Sequence, residues 1–169
     1  MFLTRRALLG VSAAAAMVAA AVPLAGGTAS AHGAPVVRST GPEADVSHHG
    51  HVVLWGDTLT IRLHSQNRGP SDVTDATVRL RVSVPLAGRQ ELPGDCLQED
   101  PQTVLCRTGP LRADGRQQHR IALGLRLAGL PDEVVVRVGT AYNGGTADRD
   151  AGNNEHEVLA LATGDPYVF

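Results

Sequence analysis

The feature that most constrains this chain is a two-residue alternation of apolar side chains that recurs along most of its length. Leu59, Ile61 and Leu63 alternate with Thr60, Arg62 and His64, and Val78, Leu80, Val82 and Val84 with Arg79, Arg81 and Ser83. Ile121, Leu123, Leu125 and Leu127 alternate with Ala122, Gly124 and Arg126, and Val134, Val136 and Val138 with Val135 and Arg137. Successive side chains of an extended strand point to opposite faces, so this pattern builds sheets that are packed on one side and wet on the other. Shorter strands are predicted near His51–Leu54, Thr103–Arg107 and His156–Leu161. Turn chemistry separates the runs at Asn67-Arg68-Gly69-Pro70, Pro93-Gly94-Asp95, Ala113-Asp114-Gly115 and Asn143-Gly144-Gly145. No helical period persists after the first residues. The expectation is an all-β fold, an immunoglobulin-like antiparallel sandwich of about seven strands. It would span residues 46–162, with a flexible segment over 32–45 and a C-terminal tail over 163–169.

The first 31 residues read differently. Arg5 and Arg6 precede an Ala-rich apolar run from Ala7 to Leu24, and small residues follow, ending Ala29-Ser30-Ala31. Charged start, apolar middle and Ala-x-Ala end are the parts of a cleavable export signal. The run is weakly apolar and broken by Pro23, Gly26 and Gly27, which argues against a membrane-spanning helix. Thr4-Arg5-Arg6-Ala7-Leu8-Leu9 fits an ordinary secretory signal and also a twin-arginine signal, and both routes stay open. Cleavage after Ala31 would leave 138 residues starting at His32, because 169 − 31 = 138. Their charge would be −4, since 13 Arg remain against 17 Asp and Glu. The expected location is secreted, extracellular or on the cell envelope.

That balance excludes some function classes. There is no Lys, and no basic excess to neutralise phosphates, so nucleic acid is not an expected partner. At 3% aromatics the chain is also too poor in rings for a base-stacking platform. Cys96 and Cys106 are the only cysteines, and an even count in an exported chain points to a disulfide between them.

The order of these turns resembles a family of bacterial surface repeats, the domain of unknown function 11. The resemblance rests on Gly56-Asp57-Thr58-Leu59-Thr60-Ile61, Asn67-Arg68-Gly69-Pro70-Ser71-Asp72, the Cys96…Val104-Leu105-Cys106 segment and Gly109-Pro110-Leu111. It ends on Asp148, Asp150, Asn153 and Asn154, and it runs from about Val46 to Leu161. The chain is also similar to the cell-adhesion-related bacterial domain. These resemblances imply an immunoglobulin-like fold with structural, spacer or adhesive roles and no catalytic residues. Such domains are usually repeated in long proteins, whereas one copy stands here.

Three candidate sites remain. His48, His49 and His51 cluster in Ser47-His48-His49-Gly50-His51 and offer imidazoles to copper, zinc or nickel. His32, if cleavage exposes it, would add its α-amino group and ring nitrogen. That start resembles the copper brace of polysaccharide oxygenases and of some periplasmic copper carriers, which implies a copper-dependent oxidase or oxygenase as an alternative to a non-enzyme. The loop Asp148-Arg149-Asp150-Ala151-Gly152-Asn153-Asn154 holds hard oxygen donors suited to Ca²⁺, although the same residue types close tight turns. No Gly-x-Ser-x-Gly, Walker loop or His-Glu-x-x-His occurs. The sequence therefore points to a secreted, non-enzymatic module with a structural, adhesive or binding role at the bacterial cell envelope, its partner an envelope protein or glycan, without a cofactor. The alternative is a secreted copper-binding protein using His32, His48, His49 and His51.

Overall fold

The computed structural model describes residues 41–169. The expected leader and His32 lie outside them. Eleven strands follow in order: β1 (Glu43–Ala44), β2 (Val46–Trp55), β3 (Thr58–Asn67), β4 (Thr77–Val82), β5 (Cys96–Asp100), β6 (Thr103–Arg107), β7 (Gln118–Arg126), β8 (Glu133–Tyr142), β9 (Ala147–Asp148), β10 (His156–Leu161) and β11 (Pro166–Val168). No α-helix occurs among the described residues, only single 3₁₀ turns at Ala113–Gly115 and Ala151–Asn154. The strands form a five-stranded sheet, β10-β8-β4-β6-β5, and a four-stranded sheet, β11-β2-β3-β7. Both are antiparallel throughout. A short parallel pair, β1 with β9, lies beside them.

The alternating residues do what their spacing demands. Leu59, Ile61, Leu63, Leu123 and Leu125 of one sheet meet Val78, Leu80, Val134, Val136 and Val138 of the other in one apolar cluster. Their Thr and Arg neighbours face out. This is the all-β antiparallel sandwich expected from the pattern, with nine strands in its two sheets where about seven were expected. A second, smaller cluster of Ala44, Val46, Val73, Ala76 and Leu111 sits apart. Trp55, the single tryptophan, points outward and is 69% exposed.

Some strands carried no signal. β11 begins with Pro166 and lies in the expected tail, yet Tyr167 pairs with Val52 and Val168 with His51. Proline is tolerated there because β11 is an edge, where a missing N–H leaves no ladder bond unmade. Glu43 and Ala44 lie in the expected flexible segment, yet they pair with Ala147 and Asp148, and Ala44 is fully buried. The folded unit therefore extends past 46–162 at both ends. β5 reads Cys-Leu-Gln-Glu-Asp and has no apolar alternation, because one of its inward positions is a cysteine and the other is Gln98.

Cys96 and Cys106 stand directly opposite one another on β5 and β6 and are joined by a disulfide. The bond closes a loop of sequence separation 10. Reduction, or Cys96→Ser with Cys106→Ser, is expected to lower unfolding free energy by about 2–3 kcal/mol, read by urea titration with and without reductant.

Candidate binding surface

The segment between β4 and β5 closes one side of the sandwich. Leu86 is its buried anchor, and Leu86 bridges Leu127 just beyond β7. Ala87 N donates to Arg126 O at 2.7 Å, and Ala128 N donates to Pro85 O at 2.8 Å. Two glutamines hold the rest. Gln98 reaches back from β5, accepting from Gln90 N at 3.1 Å and donating to Gly88 O at 3.2 Å. The Gln90 amide then pairs with a strand backbone. It donates to Arg126 O at 3.1 Å and accepts from Arg126 N at 2.7 Å. Nothing in the spacing of these glutamines marked them, since a lone Gln in a turn-rich stretch reads as solvated surface.

Beneath this strap lies a groove of about 750 Å³. Leu86, Leu92, Cys96 and Leu97 give it its apolar lining, and Arg89 and Asp100 line it as well. Leu97 is 56% exposed, a large apolar side chain held open beside a covalently braced strand pair.

The histidine candidates are not gathered. β2 alternates, so His48 faces inward with Val46 and Val52, while His49 and His51 face out. His48 is fully buried, and both ring nitrogens are occupied: Nδ1 bonds Ser65 Oγ at 2.9 Å and Nε2 bonds Thr140 Oγ1 at 2.9 Å. Burial, then the charges of His156 and His49, push its pKa down to about 4. His49 stands opposite His64 on β3, and His51 opposite Arg62. The His49 pKa is lowered by partial burial and by Arg68, His156 and His64. The His49 ring lies 6.4 Å from that of His156, which packs in turn against Phe169 at 5.3 Å. Among the described residues, no three His, Cys, Asp or Glu side chains meet in a metal-holding group.

Three carboxylate oxygens of the Asp148–Asn154 loop accept from groups of the loop itself. Asp148 Oδ1 accepts from Asp150 N at 3.1 Å, and Asp148 Oδ2 accepts from Asn154 Nδ2 at 2.8 Å. Asp150 Oδ1 accepts from Gly152 N at 3.1 Å. Asn153 Nδ2 donates to Asp45 Oδ1 at 2.7 Å, pinning the loop beside β1, and Asn153 Oδ1 is buried without a partner. Burial raises the Asp148 pKa, with the Asp45 charge adding to it. These are the local bonds by which Asp and Asn close turns.

The arginines that alternate along the strands are exposed. Arg126 is paired with Asp57, and Arg137 with Glu157 at 2.6 Å. What the geometry defines is a disulfide-braced β-sandwich carrying an apolar groove on one flank. Compared with protein-family models, with curated proteins and with solved structures, the chain matches none of them.

Proposed function

We propose that this chain is an exported, non-enzymatic immunoglobulin-like module with a structural, adhesive or binding role at the bacterial cell envelope. The observation that carries the reading is the groove beside the Cys96–Cys106 bridge. A bridged strand pair presents Leu97 to solvent, and the glutamine-held strap keeps the groove open. Exposed apolar surface with a charged rim is the usual form of a protein-binding patch. A disulfide suits an oxidising compartment, and the leader-like first residues suit export. The order of turns that resembles bacterial surface repeats supports the same role.

The test is expression of the full chain in an export-competent bacterial host, followed by fractionation and mass spectrometry. The expected product begins at His32, carries the disulfide and stays with the envelope. Leu97→Glu, a change at an exposed side chain, is expected to release at least about tenfold more protein to the medium, since charge in an apolar contact must be desolvated. An uncleaved, reduced protein in the cytoplasm overturns export. Unchanged retention of Leu97→Glu overturns the groove as the contact.

A further inference from the structure

β7 is the longest of the four strands that end the two sheets, at nine residues against six for β10, five for β5 and three for β11. Its ladder to β3 runs on one side only. The other side is partly capped. Ala87 and the Gln90 amide occupy the N–H and C=O of Arg126, so those groups point away from β3. Backbone direction alternates along a strand, so the N–H and C=O of Gly124, Ala122, Arg120 and Gln118 point the same way. None of these has a backbone partner among the described residues.

Two of the other three edges are blunted in the usual ways. β5 is short, shifts register between Gln98 and Asp100 and carries Glu99 and Asp100. β11 starts on a proline. β7 has no proline and no register shift, and small residues occupy its outer face at Ala122 and Gly124. A Cβ added at Gly124 would meet nothing within 4 Å. The face above Gly124 is therefore clear, and the outward backbone groups from Gln118 to Gly124 are left without a ladder partner.

Its surroundings are basic. Arg120 stands opposite His64, and Arg62 opposite Ala122. At the start of β7, a recess of about 570 Å³ is lined by Gly115, Arg116, Gln118, His119 and Arg120. Arg62, Arg116 and Arg120 have no acidic partner within salt-bridge distance among the described residues, whereas Arg126 is paired with Asp57.

We infer that the β7 edge from Gln118 to Gly124 receives an extended acidic segment of a partner protein, which adds a strand to the four-stranded sheet and seats a carboxylate in the Arg116–Arg120 recess. This rests on the reading of the chain as a binding module and names the partner chemistry. Backbone bonds supply affinity in such strand addition, and side-chain pockets supply selectivity. An acidic strand is favoured over a second copy because self-pairing would bring two sets of Arg62, Arg116 and Arg120 onto one continuous sheet, and like charges there repel.

The experiment is selection of a display library of random linear peptides on the purified, oxidised protein, with the recovered peptides then measured by fluorescence anisotropy. Two variants serve as controls. Ala122→Pro removes an outward N–H that β3 does not use, and Arg116→Glu with Arg120→Glu alters only exposed side chains. The expected result is recovery of peptides with Asp or Glu at alternating positions, bound at least about tenfold more weakly by each variant. The inference is overturned if no peptide is enriched, if the enriched peptides are neutral or basic, or if both variants bind as wild type does. It is equally overturned if sedimentation shows a wild-type dimer that Ala122→Pro dissolves, since the edge then serves a second copy. Failure here, with Leu97→Glu still releasing the protein from the envelope, removes the edge and leaves the module reading standing. Cytoplasmic, reduced protein removes the module reading without touching peptide binding by purified protein.

Discussion

Acidifying this protein from neutral pH to pH 4 will cost roughly 3 kcal/mol of folding stability, with His48 the largest single cause. The side chain is neutral in the fold because burial disfavours its charged form and the neighbouring His156 and His49 add to that, holding its pKa near 4 against an ordinary 6.5. In the unfolded chain it protonates at the ordinary value. Above 6.5 neither state binds the proton, so the stability is fully present. As pH falls through the interval from 6.5 to 4, only the unfolded chain takes up the proton and stability drains away. His49, also lowered, acts in the same direction from a far more exposed position. Asp148 acts oppositely, since its pKa is raised and its protonation favours the fold, but only once the carboxylate range is reached. The check is urea unfolding at a series of pH values, for wild type and His48→Gln. Gln can keep bonds to Ser65 and Thr140 but does not titrate, so its profile should be flatter across this interval. Equal slopes for the two proteins would show that some other group binds the proton.

Replacing Asn67 by Ala should cost about 3 kcal/mol or more, a core-sized loss from a residue in a turn motif. Asn67 ends β3 fully buried, with its amide oxygen and nitrogen both in use. Oδ1 accepts from Gly69 N at 2.9 Å and Asp45 N at 3.1 Å, and Nδ2 donates to Ser71 O at 2.7 Å and Leu111 O at 3.3 Å. One amide thus ties β3, the turn after it, the chain entering β2 and the segment before β7. Removing it strands several buried backbone groups together, and each such group costs about 1–3 kcal/mol. Its neighbour Gly69 is constrained by the same packing, because an added Cβ would sit 2.5 Å from the Ala44 backbone. Chemical denaturation gives the total loss, and hydrogen exchange gives its location. The amides of Val73 and Leu111, which bond each other's carbonyls, should exchange faster in Asn67→Ala, ahead of those in the β3–β7 ladder. Asn67→Asp should be no more stable than Asn67→Ala, since its second oxygen meets the Ser71 and Leu111 carbonyls where a donor stood and a buried carboxylate must be desolvated.

Asn67 also shows how far a linear reading reaches. Asn-Arg-Gly-Pro is legible as a turn from residue chemistry, because Gly and Pro constrain the backbone locally. That the asparagine also binds Asp45 and Leu111 depends on chain 22 and 44 residues away, and no local spacing encodes it. The same division runs through the sheets. β3, β4, β7 and β8 announce themselves by alternation, because each has one face on a core made largely of Leu, Ile and Val. β5, β9 and β11 carry no such pattern, because these short strands are fixed by backbone pairing with a neighbour rather than by a row of buried apolar side chains. The Cys96–Cys106 pairing needed only arithmetic, as the chain has no other cysteine.

The histidines mark the boundary most clearly. A run of clustered imidazoles looks like a metal site when written as a line. Strand geometry places His48 and His49 on opposite faces, and the second sheet then supplies Thr140 to fill the coordination that a metal would use. The alternation of one strand was in the sequence. The identity of what waits behind it came from the packing of β8 against β2, which joins residues 92 apart and converts a surface motif into a buried acid-sensitive strut. Likewise, the apolar and polar faces of β7 were legible in its residues, but its open edge exists only because the strap through Ala87 and Gln90 stops at Arg126. Residue chemistry determines which faces must be buried. Which edges stay open, and which polar groups meet across the core, are set by long-range pairings that exist only once the sheets have closed.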